Sequence, residues 1–498
     1  FFYIKNLSIW RGFLSLASNY KFMALSKKIG LLLAPILFFI VLNLPFHLVS
    51  ETGDAVIAVA IWMVIWWITE AVHIAVTALL PLILFPLLKV MPIADVGANY
   101  GSPIIFLFFG GFVLALALEK VNLHKRIALT IIKMTGTTPN KVVLGFMIAT
   151  AFMSMWISNT ASTVVMLPIA ISVIKLLIDD QDGFTKGDKN FALSVMLGIA
   201  FSANAGGIAT VIGTPPNSVL IGLLESEYNT QISFLKWMTM GLPFSVMMVS
   251  LCYVVLVKIM FPCNDIQFSA SANVISSELK NLGAISKEEK RVLTVFAVTV
   301  FLWISRTLIN YIFPGLQLSD TIISLVGAVS LFAIPLSFTK GNFILHWNDT
   351  SKLAWGILLL FGGGLALAKG MATSGLVAMI TESIQNGGFS PLIVVSLLIV
   401  LMLFMTELMS NVALVAVLAP VVAGIAIGLN IPILNVLIPV TMASSCAFML
   451  PMATPPNAIV FASGYVKVSE MVRAGVLLNL LAVGLLILYY IFVIPFIF

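Results

Sequence analysis

Two stretches of the chain place a Ser-Asn pair in the middle of an apolar run. They read MSMWISNTASTVVMLP at 153–168 and MTELMSNVALVAVLAP at 405–420, and a proline follows nine residues after each Asn. Ser and Asn side chains accept the free N–H groups at the start of a helix, and an Asn amide oxygen also suits a small, hard cation. The repeated pair predicts two helix starts that bind ions. The alternative is that these side chains only hydrogen-bond between packed helices.

A second motif, TPPN, occurs at 214–217 and at 454–457, each time inside an apolar run. Proline has no N–H group and clashes with the preceding turn, so two prolines in succession break a helix. Unwound backbone at membrane depth persists only where it is buried in protein or lines a cavity. The two copies predict discontinuous helices with free carbonyl groups. For either copy alone, a simple kink is the alternative.

The composition indicates a membrane protein with many spans. Of the 498 residues, 60% are hydrophobic and 9% are charged, and the mean hydropathy is +1.12; a soluble domain carries roughly 25% charged residues. The net charge of +6 gives no reason to expect a nucleic-acid partner. A membrane enzyme would need a paired Asp, a Ser-His pair or an HExxH motif at membrane depth. The sequence shows none of these, so we expect that it is not an enzyme.

Four features recur in one order, which indicates an internal duplication. The predicted topology places an odd number of membrane crossings between equivalent motifs, so the two halves of the chain have opposite orientations in the membrane. Secondary transporters often have such inverted repeats, and their substrate sites lie where the two halves meet. A channel fits this arrangement less well. The recurring features, three with an offset of 252 residues and the last with 240, are FGG at 109–111 and 361–363, Ser158-Asn159 and Ser410-Asn411, Pro168 and Pro420, and the two TPPN copies.

The placement of Lys and Arg predicts an orientation. We expect about eleven transmembrane helices and two re-entrant hairpins, at 138–175 and 391–428, with the N-terminus in the cytoplasm and the C-terminus outside. Cationic residues favour the cytoplasmic side, and of the 26 Lys and Arg all but Lys89, Lys236, Arg306 and Lys369 then lie there. The predicted cytoplasmic segments are 1–29, 119–141, 175–190, 258–291, 337–352 and 465–473.

Charge also suggests how transport is coupled. No Lys or Arg lies near any of the four motifs, so a bound polyanion would have no counter-charge from a side chain. A cation bound beside it supplies that charge, while helix N-termini favour the anion itself. The sequence therefore predicts cation-coupled anion transport.

Four motifs are similar to those of the divalent anion/sodium symporter family, the dicarboxylate transporters, and the resemblance runs from about residue 30 to the end. It is carried by SNT at 158–160, SNV at 410–412, GTPPN at 213–217 and SSCAFMLPMATPPNAIV at 444–460. The resemblance implies an all-α polytopic homodimer of the cell inner membrane with inverted repeats. It would import C4-dicarboxylates (succinate, malate or fumarate) with sodium ions by an elevator mechanism, in which a transport domain slides against a scaffold.

The resemblance also implies a division of the chain, with amphipathic arms at about 119–137 and 370–388. The expected parts are a cytoplasmic N-terminal segment, 1–29; scaffold helices of the first repeat, 30–118; an arm, the inner hairpin and transport-domain helices, 119–260; a cytoplasmic linker, 261–288; scaffold helices of the second repeat, 289–368; and an arm, the outer hairpin and transport-domain helices, 369–498.

The resemblance also implies site residues, carried over at the matching motifs. The first sodium site would use Ser154, Ser158, Asn159 and Gly213, and the second would use Thr406, Met409, Asn411 and Ala453. The residues expected around the substrate are Ser158, Asn159, Thr160, Thr214, Ser410, Asn411, Val412, Thr454 and Pro455.

One residue departs from the family pattern and another stands out beside it. Position 412 is Val where the fuller motif has Thr, which removes a hydroxyl donor and makes the two halves of the pocket unequal. Glu407 is an acid at membrane depth, which by default is a functional candidate. We expect it to orient the outer hairpin by accepting backbone N–H groups. The alternatives left open are a sulfate or citrate carrier, a proton-coupled carrier and a sodium-independent exchanger of the same fold.

Overall fold

The computed structural model describes residues 25–136, 138–178, 185–263, 271–337 and 342–497. Most of the predicted N-terminal cytoplasmic segment, 1–29, lies outside these residues, as does part of the linker 261–288. The described chain is helical apart from one short antiparallel hairpin, in which β1 (Pro335–Ser337) pairs with β2 (Asn342–Phe343). The predicted all-α class is confirmed, and this hairpin is a small exception to it.

The helices of the first half begin with two long apolar ones and end at the linker. A π-helical segment, Val254–Met260, continues α12. The helices are α1 (Leu25–Leu42), α2 (Glu51–Thr69), α3 (Ile74–Thr77), α4 (Leu80–Leu87), α5 (Ile93–Tyr100), α6 (Pro103–Lys120), α7 (Leu123–Thr135), α8 (Pro139–Ser154), α9 (Asn159–Ile178), α10 (Lys186–Gly207), α11 (Pro215–Tyr228) and α12 (Phe234–Tyr253).

The helices of the second half follow the linker. A 3₁₀ segment, Trp347–Lys352, precedes α16. The helices are α13 (Ser271–Asn281), α14 (Lys287–Ile312), α15 (Asp320–Ala333), α16 (Trp355–Thr373), α17 (Leu376–Asn386), α18 (Pro391–Met405), α19 (Asn411–Gly428), α20 (Ile433–Ala443), α21 (Pro455–Ala462), α22 (Val468–Phe492) and α23 (Ile494–Ile497).

The order of elements repeats, in agreement with the predicted duplication. Helices α6 to α12 run as a long apolar helix, a short amphipathic arm, a pair joined by a tight turn, a helix broken at TPPN, and a long final helix. Helices α16 to α22 follow the same order. The two pairs, α8–α9 and α18–α19, are the predicted hairpins.

Eight helices in the described residues are long and apolar enough to cross a membrane. One of them, α19, belongs to a predicted hairpin. The predicted eleven crossings are reached if the other seven are joined by four spans built from shorter or broken helices. Those four spans are α3–α4, α10–α11, α15 and α20–α21.

Proline and capping residues determine where the broken helices resume. Thr214 and Thr454 are the extended N-cap residues of α11 and α21, and a Pro-Pro pair fills the first helical positions of each. Proline is tolerated there because those N–H groups have no partner within the helix. The predicted discontinuities are confirmed, with unwound backbone at 208–214 and 444–454.

Candidate functional site

One cavity brings the four motifs together. Its volume is about 740 Å³, within the usual range for small-molecule sites. All nine residues expected around the substrate line it, as do Gly213, Met409 and Ala453. Ser154 and Thr406 lie behind the cavity wall and are fully buried.

The buried Ser154 joins an oxygen cluster with too few protons. Its hydroxyl oxygen lies 2.5 Å from Asn159 Oδ1 and 2.7 Å from the carbonyl oxygen of Ala203. A hydroxyl has one proton, so it donates to only one of these two acceptors. A cation bound among the three oxygens would relieve the remaining repulsion.

Two glycines at either end of the first unwound segment, Gly207 and Gly213, keep this cluster open. A Cβ at Gly213 would lie 2.5 Å from the carbonyl oxygen of Gly207 and 3.0 Å from that of Ser154. A Cβ at Gly207 would lie 2.6 Å from Asn159 Oδ1. Oxygen atoms therefore surround a space that a side chain would fill. This donor set suits a small cation with oxygen ligands, and it includes carbonyls at 203 and 207 that the sequence analysis missed.

The second repeat builds the same arrangement around Thr406. Its hydroxyl oxygen lies 2.6 Å from Asn411 Oδ1 and 2.7 Å from the carbonyl oxygen of Ser444. Again a single proton faces two acceptors. Met409 and Ala453, the other two residues expected at this site, are buried at the cavity wall.

The Asn of each TPPN motif holds the unwound backbone in place. Asn217 Nδ2 donates to the carbonyls of 207, 208 and 210, and Asn457 Nδ2 donates to those of 447 and 450. The contacts to 207 and 210 in the first repeat match those to 447 and 450 in the second, with the offset of 240. The sequence pattern predicted the break in the helix but not this role of the Asn.

Asn204, which the sequence analysis missed, links the two repeats. It lies on α10 and is buried, and its Nδ2 contacts the carbonyl of Ala447, Thr454 Oγ1 and Asn457 Oδ1 at 3.0, 3.1 and 3.3 Å. A polar residue inside an apolar helix was the available signal. Its partners lie about 250 residues away, so the sequence could not indicate them.

Glu407 has the role expected from the sequence. Its carboxylate is 2% exposed and accepts the backbone N–H groups of Phe448, Met449 and Leu450 at 2.8–3.0 Å. Asn479 Nδ2, from α22, donates to it at 2.7 Å. The carboxylate thereby fastens the turn of the outer hairpin to the second unwound segment. The matching residue of the first repeat is Met155, so only the second repeat has this carboxylate.

Charged side chains line one end of the cavity, where α1 begins and α2 and α6 end. They are Lys27, Glu70, Glu119 and Lys352, and Lys27 Nζ lies 3.4 Å from Glu70. Opposite charges are interspersed there, so this mouth has no strong preference for one sign. It belongs to the side that the charge pattern predicts to be cytoplasmic.

Comparison with known proteins gives a consistent result. The family model described as the sodium:sulfate symporter transmembrane region matches residues 25–496. A sodium-dependent dicarboxylate transporter of Staphylococcus saprophyticus is 40% identical over 94% of this chain and 92% of the relative. Its counterpart from Staphylococcus aureus strain bovine RF122 is 38% identical over 97% of this chain and 94% of the relative.

Among solved structures, the YdaH transporter of Alcanivorax borkumensis is similar in fold. The TM-score is 0.56 at 12% identity, and the match covers 80% of this chain and 87% of that one. At this identity the likeness concerns the fold alone.

Proposed function

The chain belongs to the divalent anion/sodium symporter family, and from that premise we propose that it imports C4-dicarboxylates such as succinate, malate and fumarate together with sodium ions. The protein is then a secondary transporter of the cell inner membrane and not an enzyme. The observation that carries the proposal is the pair of proton-poor oxygen clusters placed beside one cavity.

The two oxygen clusters are the proposed sodium sites. The first takes Ser154, Ser158, Asn159 and Gly213, with added carbonyls from 203 and 207, and the second takes Thr406, Met409, Asn411 and Ala453. Both lie behind the turns that begin α9 and α19. Sodium bound in either place therefore sets the position of an Asn whose amide N–H groups remain available to a ligand.

The dicarboxylate is proposed to bind between the two turns. Hydroxyl and N–H donors from Ser158, Asn159, Thr160, Ser410 and Asn411 face the cavity. Thr454 also contributes, because its hydroxyl already accepts hydrogen bonds from Asn204 and Asn457 and so has its own proton free to donate. These donors are neutral, and two sodium ions next to them balance the charge of the dianion.

The proposed elevator motion would carry this cavity across the membrane. The hairpins, the broken helices, α12 and α22 form the moving part, and α1–α6 and α14–α16 form the scaffold and the dimer contact. The charged mouth of the cavity lies on the side assigned to the cytoplasm, so the described conformation corresponds to an inward-facing state. Substrate and sodium would leave through this mouth.

The experiment that tests the proposal is uptake of labelled succinate into proteoliposomes. We expect uptake that requires an inward sodium gradient and falls to background when choline or lithium replaces sodium. Equal uptake in all three salts would refute the sodium coupling. In the same vesicles, unlabelled malate and fumarate should compete with succinate, whereas competition by sulfate or citrate alone would assign a different substrate class.

A further inference from the structure

Only one pair of equivalent cavity-lining positions differs between the two Ser-Asn turns. The third residue is Thr160 in the first repeat and Val412 in the second, and both are partly exposed and line the cavity. Thr and Val have nearly the same shape, so the difference is a single hydroxyl group. Within the described residues the Thr160 hydroxyl makes no hydrogen bond, so it is available to a ligand.

The surroundings of Val412 extend this difference. Leu408, in the same turn, is 67% exposed, and Met452, in the second unwound segment, is 75% exposed; both line the cavity. The matching residues of the first repeat, Trp156 and Ile212, are 8% and 7% exposed. The second repeat therefore presents three apolar side chains to the cavity, Val412, Leu408 and Met452, where the first repeat presents the Thr160 hydroxyl and the largely buried Ile212.

We propose that this asymmetry determines which substituted C4-dicarboxylates bind: a single hydroxyl is accepted when it faces Thr160, and a second hydroxyl is rejected because it must face Val412. This inference rests on the proposed function. A hydroxyl pressed against Val412, Leu408 and Met452 would lose its water without gaining a partner. Malate would then bind in one orientation, and tartrate, which carries a hydroxyl on each central carbon, would bind poorly in either.

The test uses isosteric substitutions and a competition assay. Uptake of labelled succinate with saturating sodium is measured for the wild type, Thr160→Val, Val412→Thr and the double variant that exchanges the two side chains, with succinate, malate and tartrate as competitors. Val421→Thr is the matched control, because it adds the same hydroxyl to α19 at a residue that does not line the cavity.

Each variant has its own expected result. Since an apolar pocket discriminates against an added hydroxyl only modestly, at most about 100-fold, we expect Val412→Thr to improve inhibition by tartrate roughly tenfold relative to inhibition by succinate in the same variant. Thr160→Val should weaken inhibition by malate relative to inhibition by succinate. The double variant should regain inhibition by malate, because the malate hydroxyl can then face the Thr side chain at position 412 after malate turns round in the site. The control should match the wild type.

Three results would overturn the inference. If Thr160→Val weakens inhibition by succinate as much as inhibition by malate, the Thr160 hydroxyl binds a carboxylate rather than the substituent. If Val412→Thr leaves inhibition by tartrate unchanged, the apolar side chains around position 412 do not determine the selectivity against a second hydroxyl. If the double variant does not regain inhibition by malate, the proposed orientation of malate is excluded. Absence of sodium-dependent uptake in the wild type is a separate outcome, which would refute the proposed function itself. A single variant that does not fold leaves the other to decide, because their predictions differ.

Discussion

At the scale of single residues, the proposed sodium sites depend most on the amide oxygens of Asn159 and Asn411. Each lies within 2.6 Å of a buried hydroxyl oxygen that also contacts a carbonyl. We predict that Asn159→Ala and Asn411→Ala each reduce sodium-dependent uptake by roughly 10- to 150-fold, since losing such a partner is worth about 1.5–3 kcal/mol. Asn386→Ala, at an exposed position on the arm α17, is the control. Normal rates in both variants, with the control unchanged, would remove the site assignment.

Glu407 gives a second prediction at this scale. Glu407→Gln keeps the shape but offers one acceptor oxygen to three backbone N–H groups. We expect the free energy of unfolding to fall by about 1–3 kcal/mol, visible as a lower midpoint in thermal unfolding, and the sodium concentration for half-maximal uptake to rise. The control is Glu382→Gln, at an exposed position on α17, which should change neither the unfolding midpoint nor the sodium dependence. An unaltered midpoint together with an unaltered sodium dependence would contradict the positioning role.

Residue type and spacing predicted the residues that recur in both repeats, and a charge at membrane depth predicted Glu407, but an uncharged residue without a counterpart was missed. Asn159 and Asn411 stand out because the same pair recurs at a fixed offset. Asn204 has no such signal, and its contacts with the second repeat depend on the folded arrangement of α10 against the second unwound segment. Glu407 was found because a charge at membrane depth is costly enough to need an explanation.

At the scale of elements, aromatic rings join the proposed moving part to the scaffold. Phe234, at the start of α12, stacks on Trp303 of α14 with a centroid distance of 4.6 Å and an interplanar angle of 14°. Its N–H group donates to Asp320, at the start of α15, at 2.8 Å. Because an elevator motion would break these contacts, they stabilise the described conformation relative to its alternative.

Weakening the contacts between α12 and α14 should therefore shift the population of states. An aromatic pair is worth about 0.5–1.5 kcal/mol, so Trp303→Leu should lower the ratio of inward-facing to outward-facing molecules roughly two- to tenfold. The measurement is the rate at which an impermeant thiol reagent, applied from the cytoplasmic side, labels a cavity cysteine made by Thr160→Cys. Trp347→Leu, on an exposed ring, is the control. An unchanged labelling rate in the Trp303 variant would argue against relative motion of these helices.

Prolines and their repetition made the broken helices and hairpins predictable, and shorter features were not. The β1–β2 hairpin and the π-helical segment at Val254–Met260 carry no distinctive pattern, because each depends on local packing at the end of a long helix. The second unwound segment, 444–454, is longer than the first, 208–214. The carboxylate of Glu407 accounts for this, since it satisfies three N–H groups that a helix would otherwise bond.

At the scale of the whole molecule, the charge pattern predicts an orientation that can be tested. Ala284 and Gly315 are exposed on opposite ends of α14, the first in the linker and the second after the helix. We predict that Ala284→Cys is labelled by an impermeant maleimide only from the cytoplasmic side and Gly315→Cys only from outside. The three native cysteines are buried, so they contribute little background. The reverse pattern would overturn the orientation, and with it the inward-facing assignment.

Composition and repetition sufficed to predict the class of fold for the whole chain, because hydropathy and an internal duplication are properties of the entire sequence. The convergence of both repeats on one cavity was likewise predictable from the matched motifs. The side on which the cavity opens was not predictable, because the two end states of the proposed elevator motion would use the same residues and would differ only in the relative position of the packed domains.

The central claim is that sodium, held in the two oxygen clusters, enables the neutral donors between the two Ser-Asn turns to bind a dianion. The most direct test is a calorimetric titration of the purified protein with succinate in sodium chloride and in choline chloride. We predict binding in sodium chloride, with an affinity that rises with more than the first power of the sodium concentration, and no measurable binding in choline chloride. Equal affinity in the two salts would contradict this claim.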